Sequence, residues 1–144
     1  DSDMGWQPGA LPEILALPES YDIVGGVYRK KGDPPNYTVH SKPGVPLQFP
    51  VCEVSKVATG FMRITRSCLE RVLAANPGVN PFQHIQDPAV ANGEWSEDYS
   101  FCIRAEKAGC SIWGKFDIIF DHVGPHAWRG RASDDLKHLT AVAA

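Results

Sequence analysis

The sequence predicts an α/β domain on three observations. Stretches rich in β-branched and aromatic residues, residues 21–28 and 54–59 among them, alternate with stretches of helical periodicity. Two of the helical stretches, residues 68–75 and 96–109, carry their own start and stop signals. The chain's 144 residues, 43% hydrophobic and 22% charged, suffice for one domain with a sizeable core.

The elements follow in order. Asp1-Ser2-Asp3 places two carboxylates one residue apart. That arrangement suits a hard divalent cation such as Mg²⁺ or Mn²⁺, and it is also what a solvated acidic terminus looks like. No strand precedes the triplet for it to close, so residues 1–144 are expected to be a single domain cut from a longer chain. Gln7-Pro8-Gly9 is turn chemistry. Residues 10–17 read as a short helix, with Leu11, Ile14 and Leu15 at helical spacing, Pro12 in the first turn and Pro18 as the stop. Residues 21–28 read as a strand. Its paired Gly25 and Gly26 mark either a bulge or a close backbone approach to something bound.

Residues 29–50 hold Pro34, Pro35, Pro43, Pro46 and Pro50, a loop long enough to be functional or mobile. Short edge strands at residues 37–40 and 45–49 are expected to form a hairpin around Lys42-Pro43-Gly44. The basic entrance Arg29-Lys30-Lys31 either meets an anionic ligand or is a solvated turn. Residues 54–59 and 61–65 read as strands separated at Gly60, a turn or close approach. Thr65 or Ser67 caps the helix at residues 68–75, whose inner face is expected to carry Leu69, Val72 and Leu73. Asn76-Pro77-Gly78 ends it. Residues 79–95 form a polar loop anchored by Phe82 and Trp95.

The next segment is the most legible. Ser96 is a good N-cap, Glu97 and Asp98 suit the positive end of the helix dipole, and Gly109 suits the C′ position. Phe101, Cys102, Ala105 and Ala108 form its apolar stripe. First-turn acids are what any helix prefers, and one of them can at the same time face a pocket as a general base. Residues 110–114 and 116–120 read as strands leading into a segment with His122 and His126, between which spacing alone does not choose. Residues 133–144 read as a helix capped by Ser133, Asp134 and Asp135.

Composition narrows the function. A net charge of −3 lacks the basic balance of a general nucleic-acid binder, so no nucleic-acid partner is expected. No apolar run approaches the roughly 20 residues of a membrane span, and no signal-peptide pattern opens the chain. The four cysteines, Cys52, Cys68, Cys102 and Cys110, show no metal-binding or redox-motif spacing. Reduced thiols in a cytoplasmic protein are the expectation.

The order of Asp-x-Asp, a Gly-Gly strand, Ala58-Thr59-Gly60-Phe61-Met62 before a helix, Glu97-Asp98-Tyr99-Ser100-Phe101-Cys102 with Arg104-Ala105 and Ala108-Gly109, and His122-Val123-Gly124 resembles the GT-A glycosyltransferases, closest to the family-2-like, nucleotide-sugar-dependent branch. It covers residues 1 to about 130 and lies in the succession of motifs. It implies a partial GT-A fold, a mixed sheet flanked by helices that lacks the N-terminal nucleotide-binding strands. It implies that Asp1 and Asp3 hold Mn²⁺ or Mg²⁺ on a sugar-nucleotide diphosphate, with His122 completing the metal site. It assigns Asp98 as the acceptor-activating base, with Glu97 its pair, and implies inversion at the anomeric carbon. Gly60 matches the segment lining the donor and acceptor. Gly25, Gly26, Trp95 and Trp128 join it as candidate substrate-binding residues, the tryptophans as stacking platforms for a sugar ring or as plain core. The expected partners are a nucleotide-sugar donor and a carbohydrate or other hydroxyl acceptor. The alternative is a non-catalytic or truncated domain of the same fold that binds carbohydrate or protein.

Overall fold

Strand β2 (Ile23–Gly26) runs through the middle of the molecule and is buried at all four positions. The computed structural model describes residues 2–140. In its five-stranded sheet the order is β3 (Val39–Ser41), β4 (Val51–Val57), β8 (Ile112–Lys115), β2 and β5 (Met62–Ile64). β2 lies parallel to β8 and antiparallel to β5, and β8 is antiparallel to β4, so the sheet is mixed.

The period of 2 along a strand sends neighbouring side chains of β2 to two different cores. Ile23 joins Val57, Val72, Phe101 and Cys102 beneath α2 (Arg66–Ala75) and α3 (Glu97–Lys107). Val24 joins Ala10, Ile14, Phe61 and Phe120 under α1 (Ala10–Leu15) and a second sheet. That second sheet is three-stranded and antiparallel, in the order β1 (Met4–Trp6), β9 (Phe120–Val123), β10 (Ala127–Gly130). The result is a mixed α/β architecture with helices on both faces of the sheet. α4 (Ala132–Thr140) completes the described chain. Among the described residues no helix is long and apolar enough to cross a membrane. All four cysteines are free and buried.

Gly25 and Gly26 lie in unbroken register with β8, and Gly25 also pairs with β5, so the pair is not a bulge. The close approach comes from the protein itself. A Cβ on Gly25 would sit 2.5 Å from Val57 Cβ, and one on Gly26 would sit 2.4 Å from Phe120 Cζ.

Several local expectations are corrected. The expected hairpin between residues 37–40 and 45–49 does not form. β3 pairs instead with β4, Val39 opposite Val57, while Val45, Leu47 and Phe49 pack on the core outside any strand. Pro46 and Pro50 remove amide donors from that stretch, whereas β4 offers an uninterrupted ladder. On α2 the inner face is Cys68 and Val72, one helical turn apart. Leu69 and Leu73 point outward, 36% and 48% exposed. Thr65 does cap α2, accepting from the Cys68 amide at 3.2 Å. Residues 116–119 are not strand; Phe116 and Ile118 are buried plugs in the crossing from β8 to β9.

Within residues 79–95 a short hairpin forms, β6 (Ile85–Gln86) with β7 (Glu94–Trp95). Two residues of α3 fasten it. Phe101 stacks on Phe82 at 4.5 Å, and the buried Arg104 donates to the carbonyls of Pro81 and Gln83 at 3.1 and 2.6 Å. α3 ends as expected, with Gly109 in the left-handed region at φ 76°.

Candidate functional site

The site forms where the edge of the small sheet meets the start of α3. β1 pairs with β9 so that Met4 faces His122, and the Val123 amide donates to the Asp3 carbonyl at 2.8 Å. This register brings Asp3 Oδ2 to 3.5 Å from His122 Nε2. The other ring nitrogen, Nδ1, lies 2.9 Å from the Arg29 carbonyl oxygen. A carbonyl only accepts, so Nδ1 carries a proton, and Nε2 is the nitrogen that faces the carboxylate. Two lone pairs cannot face each other favourably. A positive charge beside them relieves that opposition. Tyr28 supports the imidazole edge-on, with ring centres 5.4 Å apart.

A third group shares this oxygen. Lys31 Nζ is 2.7 Å from Asp3 Oδ2. The ammonium holds the Asp3 carboxyl below its usual range, aided by His122.

Across the gap, α3 begins with Glu97 and Asp98. Asp98 Oδ1 accepts from the Ser96 hydroxyl and, at 2.9 Å, from the Tyr99 amide. Ser96 thus caps through its position and orients the acid, and its side chain makes no bond to the helix's own amides. Asp98 Oδ2 has no hydrogen bond among the described residues. Between the two halves lies an open, polar pocket of about 510 Å³, lined by Asp3, Tyr28, Lys30, Thr38, Ser96, Glu97, Asp98, Tyr99 and His122. Its volume is that of an ordinary small-ligand site. Burial pushes the phenols of Tyr28 and Tyr99 each up to about 12, so both are neutral hydrogen-bond donors at physiological pH.

Asp3, His122, Glu97 and Asp98 are thus brought together. Asp1 lies outside the described residues. Gly25 and Gly26 lie in the sheet behind the site and do not line it. Gly60, in the 3₁₀ turn Thr59–Phe61, sits beneath the pocket: a Cβ there would meet the Tyr28 hydroxyl at 2.4 Å. Trp95 is outside the pocket, its Nε1 donating to Asp87 at 3.0 Å and its face covered by Lys56 at 4.5 Å. It packs edge-on against Tyr99, with ring centres 6.2 Å apart. Trp128 pairs with His122 in the register of β9 and β10, and its ring lies 3.8 Å from that of the exposed His126. Of the two histidines, His122 is the one in the pocket. Among the described residues no three His, Cys, Asp or Glu side chains form a ready metal cluster.

Sequence reasoning does not single out Tyr28, Thr38 or Tyr99 as site residues, and it reads Lys30 and Lys31 only within a basic run that meets an anionic ligand or is solvated. The basic run at residues 29–31 and the position of Tyr99 beside Asp98 were the available signals. Thr38 reaches the site only because its amide and hydroxyl both bond the Tyr28 carbonyl, each at 3.0 Å.

A histidine ties the β6–β7 hairpin to the rim. His84 Nδ1 is 2.9 Å from Glu94, and Nε2 is 3.6 Å from Glu97. Glu94 raises the His84 pKa above its ordinary 6.5, and His84 in turn lowers that of Glu94 below 4.5. A raised histidine stabilises fully below its unfolded value and loses that contribution as pH rises through its folded value. A depressed carboxylate stabilises above its unfolded value and loses it as pH falls through its folded one. The hairpin is therefore held best between those limits. Hydrogen exchange at Ile85 and Trp95, corrected for intrinsic rates, is expected to show more protection near pH 6 than near pH 8. In His84→Gln this difference should vanish.

No protein-family model matches the chain, and no curated protein sequence matches it. Among solved structures it is similar to the crystal structure of A197 from STIV, at 25% identity and a TM-score of 0.53, over 86% of this chain and 55% of that one. The chain spans about half the length of the structure it matches.

Proposed function

We propose that this chain is the metal- and acceptor-side portion of a GT-A glycosyltransferase domain of the family-2-like kind. It would transfer a sugar from a nucleotide-diphosphate sugar to a hydroxyl acceptor, in the cytoplasm. The observation that carries the reading is convergence: Asp3, His122 and Asp98, remote in sequence, line one polar pocket.

Two of the donors present, Asp3 and His122, would suit a divalent cation that takes its remaining ligands from the diphosphate and water. Asp3 Oδ2 and His122 Nε2 face each other at 3.5 Å, and the Arg29 carbonyl keeps the Nε2 lone pair directed at the gap. A mixed carboxylate–imidazole set suits Mn²⁺, with Mg²⁺ next. Such a cation, when bound, offsets the negative charge that builds on the leaving diphosphate. The chain's own residues do the rest. Asp98 takes the acceptor hydroxyl's proton at Oδ2, while Ser96 and the Tyr99 amide hold Oδ1 and fix the direction of approach. Tyr28 and Tyr99 offer neutral hydroxyls to sugar oxygens. Direct attack with one base inverts the anomeric carbon.

One observation favours a second reading, a non-catalytic domain that binds carbohydrate or protein: the Lys31 ammonium already satisfies Asp3. The test is a screen of nucleotide-sugars with the intact protein, following release of the nucleoside diphosphate with Mn²⁺, with Mg²⁺ and with chelator. Cation-dependent release supports transfer. Binding of carbohydrate without any cation-dependent release would establish the second reading instead.

A further inference from the structure

The loop that follows β2 is built to present one ammonium. Arg29 closes its turn by donating to the Gly32 carbonyl at 3.1 Å and by pairing with Asp33, and the Lys30 amide donates to the Asn36 carbonyl at 2.7 Å. Lys31 leaves this turn with its stem beside the β9–β10 connection, where a Cβ on Gly124 would lie 3.4 Å from Lys31 Cδ. Its ammonium lands on Asp3 Oδ2, the same oxygen that His122 Nε2 faces.

We propose that Lys31 is an internal stand-in for the divalent cation: it occupies the Asp3 carboxylate when no cation is bound, and it is released to the donor's diphosphate when one is. The proposal rests on the metal-dependent reading given above. A cation bonded to Asp3 Oδ2 at about 2.1 Å would crowd an ammonium 2.7 Å from the same oxygen, and like charges that close repel strongly. Lys31 must then move. It can, because the side chains of Lys31 and Asp3 are 37% and 40% exposed, and an ion pair so exposed holds weakly. A lysine suits the exchange, as a compact charge on a flexible four-carbon stem. The incoming diphosphate brings the negative charge that the freed ammonium would meet beside Lys30. The exchange keeps the local charge balanced in both states, without a permanent metal site.

The test compares Lys31→Met, Lys30→Met and Asp3→Ala with the unaltered protein. Mn²⁺ alone is titrated by calorimetry, then inorganic pyrophosphate is added to the Mn²⁺-loaded protein. Lys31→Met is expected to bind Mn²⁺ about two- to fivefold more tightly, the competitor being gone. It should bind pyrophosphate about tenfold more weakly, one charge-assisted hydrogen bond being lost. Lys30→Met should leave Mn²⁺ affinity as it was. Unchanged or weaker Mn²⁺ binding in Lys31→Met overturns the stand-in role, as does equal tightening in Lys30→Met, which would mark a general charge effect. Mn²⁺ affinity that is the same in Asp3→Ala as in the unaltered protein removes the metal reading itself and this proposal with it. Surface lysine variants keep the fold, and thermal unfolding checks that they do.

Discussion

If the proposed reaction is the chain's own, Asp98→Asn is expected to lower sugar transfer by about 10²- to 10⁴-fold, the range that a positioned general base supplies. Asparagine keeps the carboxamide oxygen that accepts from Ser96 and the Tyr99 amide, so the side chain stays where it is. What it loses is the oxygen proposed to take the proton. Steady-state rates with a nucleotide-sugar donor measure the loss, and Mn²⁺ titration of the same variant should show cation binding intact, because Asp98 lies across the pocket from Asp3 and His122. Undiminished turnover in Asp98→Asn would assign the base elsewhere.

Phe101→Ala should cost about 3–5 kcal/mol of stability, a large fraction of the roughly 5–15 kcal/mol that holds a typical domain. Phe101 is 0% exposed, stacks on Phe82, and lies on α3 three residues after Asp98. The cavity left by truncation would loosen the packing of α3 on the sheet and the fastening of the β6–β7 hairpin together. Chemical denaturation gives the magnitude. Leu73→Ala, at a side chain 48% exposed, serves as the contrast, with an expected change within about 0.5 kcal/mol.

These two positions also show what the sequence carried. α3 was legible almost to the residue, because its signals are local: acids in the first turn, an apolar stripe, a terminal glycine. The gathering of Asp3, Asp98 and His122 was anticipated only through motif order, and the β1–β9 pairing that accomplishes it has no local signature. On the inner face of α2, Val72 is as expected, but Leu69 and Leu73 are not, because leucines outrank cysteine in hydrophobicity whereas the angular position of Cys68 and Val72 decides what faces the sheet. Gly25 and Gly26 looked like room for a ligand. Val57 and Phe120, distant in sequence, fill that room. Lys31 could not be distinguished from any solvated lysine until the fold set it on Asp3.

The antiparallel pairing of Met4 with His122 has a consequence in time. Asp3 leaves the ribosome well before His122, and its neighbour in the site arrives only when β9 does. Contacts of such long sequence separation form late, after the local helices and hairpins have condensed. Until then the pocket has one wall. Any intermediate lacking β9 therefore lacks the site, and the ability to bind a ligand there becomes a marker of completed folding rather than of partial collapse.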